Sequence, residues 1–462
     1  MLLGIRLKAN PTEEQKLILS QWMGCARLIW NAKCDEARYY GTFARKYCSI
    51  GTYAPIDQTT AQFKNKSLTP WLYNCPSQIL RNSAVNWYHT YQKFMKGQCG
   101  KPKRKPKTDK GSIHLTRELF RFEVCADGVT RLFVGSKTNN IGYLLFKTHR
   151  PFGLPNSIYI RKECGQYYIS FCFEASNDAV ITTDVAHLDY LKGTSSAFLE
   201  AHVVGIDRGV IIPVQAGDVS YDFSLAQKKK KEKSARYIKG LQRKLARQQK
   251  GSRHRQKTKH RISRYHRKTA NIRKDFSHKT SRGLIESYAK VIIFEDLKTA
   301  NMTKKPKAKK DEAGRFISNQ ARAKAGLNKA ILDKGWHQLE TFTKYKAANA
   351  GKAVFKIPAP YTSQECASCG HTHPNNRKEQ ALFLCDYCGN VDNADRNASL
   401  VIKKRAIQLI LHTGTVLSER GVLTLSDTGR GASCKSGKRN GKPASSVETS
   451  KKKRTAATCV AA

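Results

Sequence analysis

The chain has 462 residues, of which 84 are Lys or Arg and 35 are Asp or Glu, giving a formal charge of +49. Self-repulsion of that size opposes a compact state unless a polyanion neutralises it, and nucleic acid is the expected partner. No run approaches the roughly 18 apolar residues that span a bilayer, the start MLLGIRLKANPTEEQ carries no apolar secretion segment, and the scattered cysteines fit a reducing cytoplasm better than a disulfide framework.

Leu3, Ile5 and Leu7 alternate with other residues and read as a short strand. Asn10 and Pro11 look like an N-cap and an N1 proline opening a helix to about residue 39. A second helix is expected from Pro76–Ser77 to about Met95, with an aromatic stripe (Trp87, Tyr88, Tyr91) that belongs to a core. Gln78 and Asn82 near its start are candidates for touching nucleic acid, as are Lys103, Arg104 and Lys105 in the basic loop KPKRKPKTDK. From about residue 112 to 174 the pattern turns to strands (RLFVG, YLLFK, SIYIRK, YYISFCFE), so the helices interrupt a β module that begins with the first strand. Residues 175–202 read as a polar linker.

Val203 to Asp207 is a buried-type strand ending on an acid, with IIPVQ and VSYDFS as neighbouring strands. Residues 228–274 hold 21 Lys or Arg against one acid, Glu232. Apolar residues recur there at helical spacing on both sides of Lys250-Gly251-Ser252, which predicts a phosphate-facing helical hairpin; Arg243, Lys244 and Arg247 are its candidate nucleic-acid contacts. Val291 to Phe294 is a second buried strand, ending at Glu295. A lysine-rich loop, one amphipathic helix (Leu327, Ile331, Leu332, Leu339, Phe342) and a strand at 354–357 follow. Asp395 precedes a last helix, and from Asp427 the composition predicts disorder.

Cys366, Cys369, Cys385 and Cys388 read C-x2-C-x15-C-x2-C. Each knuckle offers two thiolates from one tight turn, and four complete a tetrahedral zinc shell with no open position, so the expected role is structural. His371 and His373 are left facing solvent or nucleic acid.

Asp207, Glu295 and Asp395 are the candidate catalytic and Mg²⁺-holding residues. Acids at the ends of adjacent buried strands, with one at a helix start, can converge on a pair of hard cations about 4 Å apart, the layout of an RNase H-like fold cutting phosphodiesters. Asp218, Asp296 and Asp392 compete for the role. Asp296 should point to the other side of its strand from Glu295, and Asp392 should support or cap the helix.

At these residues the chain resembles the TnpB (OrfB) proteins of insertion sequences, over roughly residues 1–412. The stretches are GIDRGV, FEDLKTANM, LNKAILDKGWHQL, YTSQECASCGH, FLCDYCG and NADRNAS, with RLKANPTEEQ, GCARLIWN, PSQ and HKTS. The resemblance implies an RNA-guided DNA endonuclease related to compact type V CRISPR effectors. In fold terms it implies an α/β multidomain chain. A β-barrel-like wedge module (1–10 and 100–174) carries a helical recognition insertion (11–99). A RuvC, RNase H-like nuclease domain (203–360 and 390–426) contains the zinc ribbon (361–389), a target-nucleic-acid-binding element. It further implies two Mg²⁺, one Zn²⁺, and a guide RNA from the transposon end and double-stranded target DNA as partners; the sequence leaves the oligomeric state open, with a monomer bound to RNA as the expectation. Arg208 departs from the family pattern, which often has an apolar residue there; its charge is expected to lower local metal affinity or to meet phosphate. A nuclease-inactive RNA-guided repressor and a strand-joining transposase are the rival readings.

Overall fold

The computed structural model describes residues 2–44, 59–108, 110–124, 130–148, 152–174, 183–377, 379 and 381–426. The tail from Asp427 and residues 175–182 therefore lie outside the described residues.

Strand β1 (Leu2–Asn10) leads into α1 (Glu13–Tyr39), and α2 (Ser77–Met95) follows. The start of α1 differs from the sequence reading: Thr12 is the cap, not Asn10. Its hydroxyl accepts from Gln15 N while the Gln15 side chain accepts from Thr12 N, a reciprocal capping box that leaves Pro11 outside the helix. Asn10 stays in β1, opposite Leu145. Strands β2 (Gly111–Thr116), β3 (Phe120–Val124), β4 (Thr130–Gly135), β5 (Asn140–Phe146), β6 (Ser157–Glu163) and β7 (Gln166–Glu174) complete a seven-stranded antiparallel sheet ordered β2-β6-β7-β1-β5-β4-β3. Ile5, Leu7 and Ala9 of β1 pack against Leu19, Trp22 and Ile29 of α1 and Ile79 and Leu80 of α2. The α2 stripe is packed: Trp87 stacks on Tyr91 at 5.2 Å and its indole N–H reaches Cys34 Sγ at 3.2 Å.

Residues 183–202 are not a linker. They form α3 (Asp184–Lys192) and α4 (Ser196–His202), capped by the hydroxyls of Thr183 and Ser195. Leu188, Leu191 and Leu199 enter a second core; with so few apolar residues on such short helices, the periodicity was too brief to register.

That core flanks a five-stranded sheet of β8 (Val203–Asp207), β9 (Val214–Ala216), β10 (Val219–Tyr221), β11 (Val291–Glu295) and a strand at Ala353–Ile357, in the order β10, β9, β8, β11, Ala353–Ile357. The last three are mutually parallel, and β9 and β10 are antiparallel. Helices α5 (Leu225–Arg247) and α6 (Arg253–Glu286) form the basic hairpin. After β11 come α7 (Thr299–Met302), a two-residue ladder of β12 (Lys309–Lys310) and β13 (Phe316–Ile317), α8 (Ala321–Lys334) and α9 (Trp336–Asn349), leading to the Ala353–Ile357 strand, β14. The single helix expected here is two: Gly335, at φ +71°, breaks it, and Leu327 and Leu332 lie exposed on α8. The ribbon hairpin β15 (Leu382–Leu384) and β16 (Val391–Asn393) precedes α10 (Ala394–Leu411), and β17 (Thr415–Leu417) and β18 (Leu423–Leu425) close the described chain.

Strand alternation sorts this sheet into two faces. Val203, Val291 and Ile293 pack with Ile402, Ala406 and Ile407 of α10 and with α3 and α4. Val204, Ile206, Ile292 and Phe294 pack with Leu284 of α6 and Leu339 of α9. Continued by one step, the odd-numbered face carries Asp207 and Glu295 towards α10, and the other carries Arg208 and Asp296 towards α9. Gly205 lies on the α10 side, where a Cβ would stand 2.2 Å from Ser399 O and 2.7 Å from Lys403 N. Ser399 uses the closeness, its hydroxyl lying 2.7 Å from Gly205 O and from Gly217 N.

Gly205→Ala should therefore lower unfolding free energy by about 3 kcal/mol, at the upper end of ordinary overpacking costs because the clash is with backbone. Denaturant melts of the two proteins measure it, and Gly240→Ala on the open side of α5, where a Cβ meets nothing, should raise stability slightly.

Candidate active site and zinc centre

Asp207 and Glu295 stand at the C-terminal ends of adjacent parallel strands, and Asp395 in the first turn of α10. Asn393 caps that helix, accepting from Asp395 N at 3.0 Å and Arg396 N at 3.2 Å. The Asp395 carboxylate thus sits where the helix dipole favours negative charge. A Cβ on Gly209 would lie 3.7 Å from Asp395 Oδ2, so the loop leaving Asp207 runs against the third acid.

Asp207 feels the charges of the other two acids. Burial raises the Asp207 pKa, the Glu295 and Asp395 charges raise it further, and it is pushed up to about 7. Burial also raises Glu295 and Asp395 above the usual carboxylate range. Against this stands Arg377, whose guanidinium favours the charged form of all three and bonds Asp395 Oδ1 at 3.3 Å. Thr362, buried, donates its hydroxyl to Glu295 Oε1 at 2.6 Å. Three carboxyls raised by burial, and Asp207 further by the other two, offer hard oxygen donors of the kind that suit divalent cations such as Mg²⁺.

The competing acids are engaged elsewhere. Arg396 bonds Asp218 at 2.5 Å and Asp392 at 2.8 Å. Asp296 faces Lys356 at 3.9 Å on the α9 side of the sheet.

Cys366 and Cys388 sulfurs are 3.7 Å apart and Cys369 and Cys385 sulfurs 3.6 Å, close to the roughly 3.8 Å edge of a tetrahedron with 2.3 Å Zn–S bonds. All four lie within 4.8 Å of one another, a closeness that no other group of three or more such ligands reaches among the described residues. Each knuckle turns on a glycine in the left-handed region, Gly370 at φ +77° and Gly389 at +68°. The geometry fits a closed zinc shell. His371 and His373 stay outside it, both bonded to Asp386, at 3.0 and 2.7 Å. The first knuckle is fastened to α10: Asn397 accepts from Ala367 N at 2.9 Å and donates to Glu365 O at 2.7 Å, and Arg405 pairs with Glu365. The ribbon thus anchors to the helix that bears Asp395 and carries Arg377 beside it.

The nucleic-acid candidates divide. Arg243, Lys244 and Arg247 are exposed on α5. Lys103, Arg104 and Lys105 are exposed too, on a loop bound to α1: Trp30 donates to Lys103 O at 3.0 Å, Arg104 pairs with Asp35 at 2.9 Å, and Lys105 lies 3.4 Å over the Trp30 ring. Asn82 is buried, donating to His114 O at 3.1 Å and placed 3.4 Å from Thr116 Oγ1. It joins α2 to β2 and offers no edge to a base. Gln78 is half-buried with its amide 3.4 Å from Asn82 Oδ1. Nor is Arg208 at the surface: it is buried on the α9 side. Sequence reasoning missed Thr362 and Arg377. Thr362 lay inside the quoted YTSQECASCGH stretch, whereas nothing in the spacing around Arg377 marks it.

Comparison with known proteins matches this layout piecewise. A model described as "Probable transposase" (OrfB_IS605) covers residues 197–305, a Cas12f1-like TNB domain model covers 336–402, and a helix-turn-helix model covers 1–38. In this structure that last stretch is one strand and one long helix. InsQ of Escherichia coli (strain K12), named as an RNA-guided DNA endonuclease, is 30% identical over 407 residues, 86% of this chain and 90% of InsQ. A protein of Streptomyces pristinaespiralis, similarly named, is 25% identical over 408 residues, 86% of this chain and 87% of its own length. The CRISPR-associated endodeoxyribonuclease Cas12f1 of Sulfoacidibacillus thermotolerans is 33% identical over 134 residues, 28% of this chain and 26% of Cas12f1. Among solved structures, a Cas12f1–sgRNA–target DNA complex shares the fold at TM-score 0.51 and 11% identity, covering 87% of this chain and 98% of that one. No helix among the described residues is long and apolar enough to cross a membrane.

Two outcomes follow. In metal-free protein the unfolded Asp207 loses its proton near its ordinary pKa of 3.8 and the folded one near 7. The fold therefore binds the extra proton, and stability should fall as pH rises between those values and then level off. Melting temperature against pH checks the slope, which should be shallower in Asp207→Asn, where only the raised Glu295 and Asp395 remain. Cys366→Ser should lower zinc content and melting temperature together, read by metal analysis and calorimetry.

Proposed function

Because the chain belongs to the OrfB (TnpB) family of insertion-sequence proteins, related to compact type V CRISPR effectors, we propose that it is an RNA-guided DNA endonuclease whose cutting site is Asp207, Glu295 and Asp395. The observation that supports this reading is that Asp207, buried at the end of β8, has its pKa raised by the charges of both Glu295 and Asp395 as well as by burial. The five-stranded sheet is then the RuvC, RNase H-like domain, the seven-stranded sheet the wedge module, α1 and α2 the recognition insertion, and the ribbon the target-nucleic-acid-binding element.

The three carboxylates would hold two Mg²⁺, and the cysteine quartet one structural Zn²⁺. Bound there, the Mg²⁺ pair supplies activation of the attacking water and neutralises charge at the departing oxygen, leaving 5′-phosphate and 3′-hydroxyl ends. The chain's own part is placement. Thr362 fixes the carboxylate rotamer of Glu295. Asn393 aims Asp395. Arg377, beside Asp395, would present its guanidinium to a non-bridging phosphate oxygen. The Lys and Arg of α5 and α6 grip backbone phosphates of the guide RNA and its heteroduplex with target DNA, so affinity falls steeply with salt. Sequence choice comes from base pairing with a guide RNA from the transposon end, beside a short motif in double-stranded target DNA. All three acids are present, which disfavours a nuclease-inactive repressor.

Asp207→Ala should reduce Mg²⁺-dependent cleavage of guide-matched DNA at least 1,000-fold, of the order of losing a central electrostatic element, while RNA-directed DNA binding survives in a gel-shift assay. Cleavage retained in that variant would remove the site assignment. RNA purified with the protein should be one discrete transcript with a variable 3′ segment.

A further inference from the structure

The acids face α10, and behind them, on the α9 side, lies a second charged group that the cutting reaction does not use. Arg208 follows Asp207 directly and is 6% exposed. Its Nη2 donates to the main-chain oxygen of Glu295 at 2.5 Å, its Nη1 to Glu340 Oε2 of α9 at 3.2 Å, and it lies 5.2 Å over the Phe294 ring. Its Nε is buried without a partner among the described residues. Glu340 is shared, its other oxygen holding Lys356 of β14 at 2.7 Å, with Lys344 at 3.8 Å. Lys356 in turn faces Asp296 at 3.9 Å.

Strand register places the arginine against the end of β11. The β8–β11 ladder ends at the Ile206–Phe294 pair, while the other edge of β8 stays paired with β9 as far as Asp207 and Gln215. Beyond it the carbonyl of Glu295 takes no donor from the β8 ladder; it accepts Leu297 N at 3.0 Å and, as its second bond, the Arg208 guanidinium. A buried cation this close to the acids would repel a second cation, and only a fixed counter-charge cancels that repulsion.

We propose that Arg208 is a positioning residue that clamps the main chain of Glu295, and that Glu340 is the counter-ion that keeps this clamp from weakening divalent-metal binding at the acid site. Helix α9 thereby sets the metal affinity of a site it does not touch. The inference rests on the Mg²⁺-site reading above. It replaces the two roles expected of Arg208 from sequence, since the side chain is sealed from phosphate and its charge is held against Glu340.

The test is a Mn²⁺ titration followed by electron paramagnetic resonance on the protein bound to its guide RNA. The same titration of the Asp207→Ala complex is subtracted to remove ions held by RNA. Glu340→Gln should weaken the remaining Mn²⁺ binding about tenfold. Arg208→Leu combined with Glu340→Gln should bring it back to within about twofold of the parent, yet cleave about tenfold more slowly at saturating Mn²⁺, because Glu295 has lost its clamp. A general packing defect would instead make the double variant worse than the single one in both readouts. Glu340→Gln binding Mn²⁺ like the parent, or a double variant no better than the single, would overturn the proposal. If Glu340→Gln fails to fold, Arg208→Lys decides: slower cleavage with unchanged Mn²⁺ affinity supports the clamp, and unchanged cleavage refutes it. If the parent and Asp207→Ala bind Mn²⁺ alike, the metal-site reading itself fails, a result distinct from either.

Discussion

The close approach of α10 to β8 at Gly205 is the contact on which the rest of the site depends. Any Cβ at that position would meet the backbone of Ser399 and Lys403. Because there is none, the Ser399 hydroxyl can bridge Gly205 and Gly217, and the first turn of α10 comes level with the ends of β8 and β11. Asp395 reaches the other two acids because the helix is seated this deeply. The ribbon is fastened to the same helix through Asn397 and Arg405, so Arg377 arrives with it. One short backbone contact therefore organises residues drawn from four separate stretches of chain.

The site is held at different levels of structure. Thr362 fixes the Glu295 carboxylate and Arg208 fixes the peptide behind it. Asn393 fixes the helix start under Asp395. The zinc knuckles, turning on Gly370 and Gly389, fix the loop that carries Arg377. Each support comes from a different element, which suits a pocket whose own charges repel.

Much of this was legible in the sequence. Val203–Asp207 and Val291–Glu295 announce themselves as apolar runs ending on acids, and alternation alone puts Glu295 and Asp296 on opposite faces. The four cysteines are readable from spacing. What escaped reading was contact across the fold. Asn82 looks like a polar surface residue on an amphipathic helix until its amide is seen bonded to β2. Arg208 reads as a charge facing the acids until strand parity turns it towards α9. Arg377 has no local pattern, and only the folded ribbon brings it to Asp395. The two short helices after residue 183 carry too few apolar residues for periodicity to reveal, and Gly335 splits a helix that apolar spacing had drawn as continuous.

The two-faced alternation of β8 and β11 has a bearing on how such a chain can diverge. Deleting one residue inside β11 would carry Glu295 round towards α9 and bring a neighbouring side chain under α10, while leaving the strand's apolar character nearly intact. Such an indel would bring Asp296, a shorter acid, to the face that Glu295 shares with Asp207. The length of these two short strands therefore fixes, as much as residue identity does, which carboxylate faces α10.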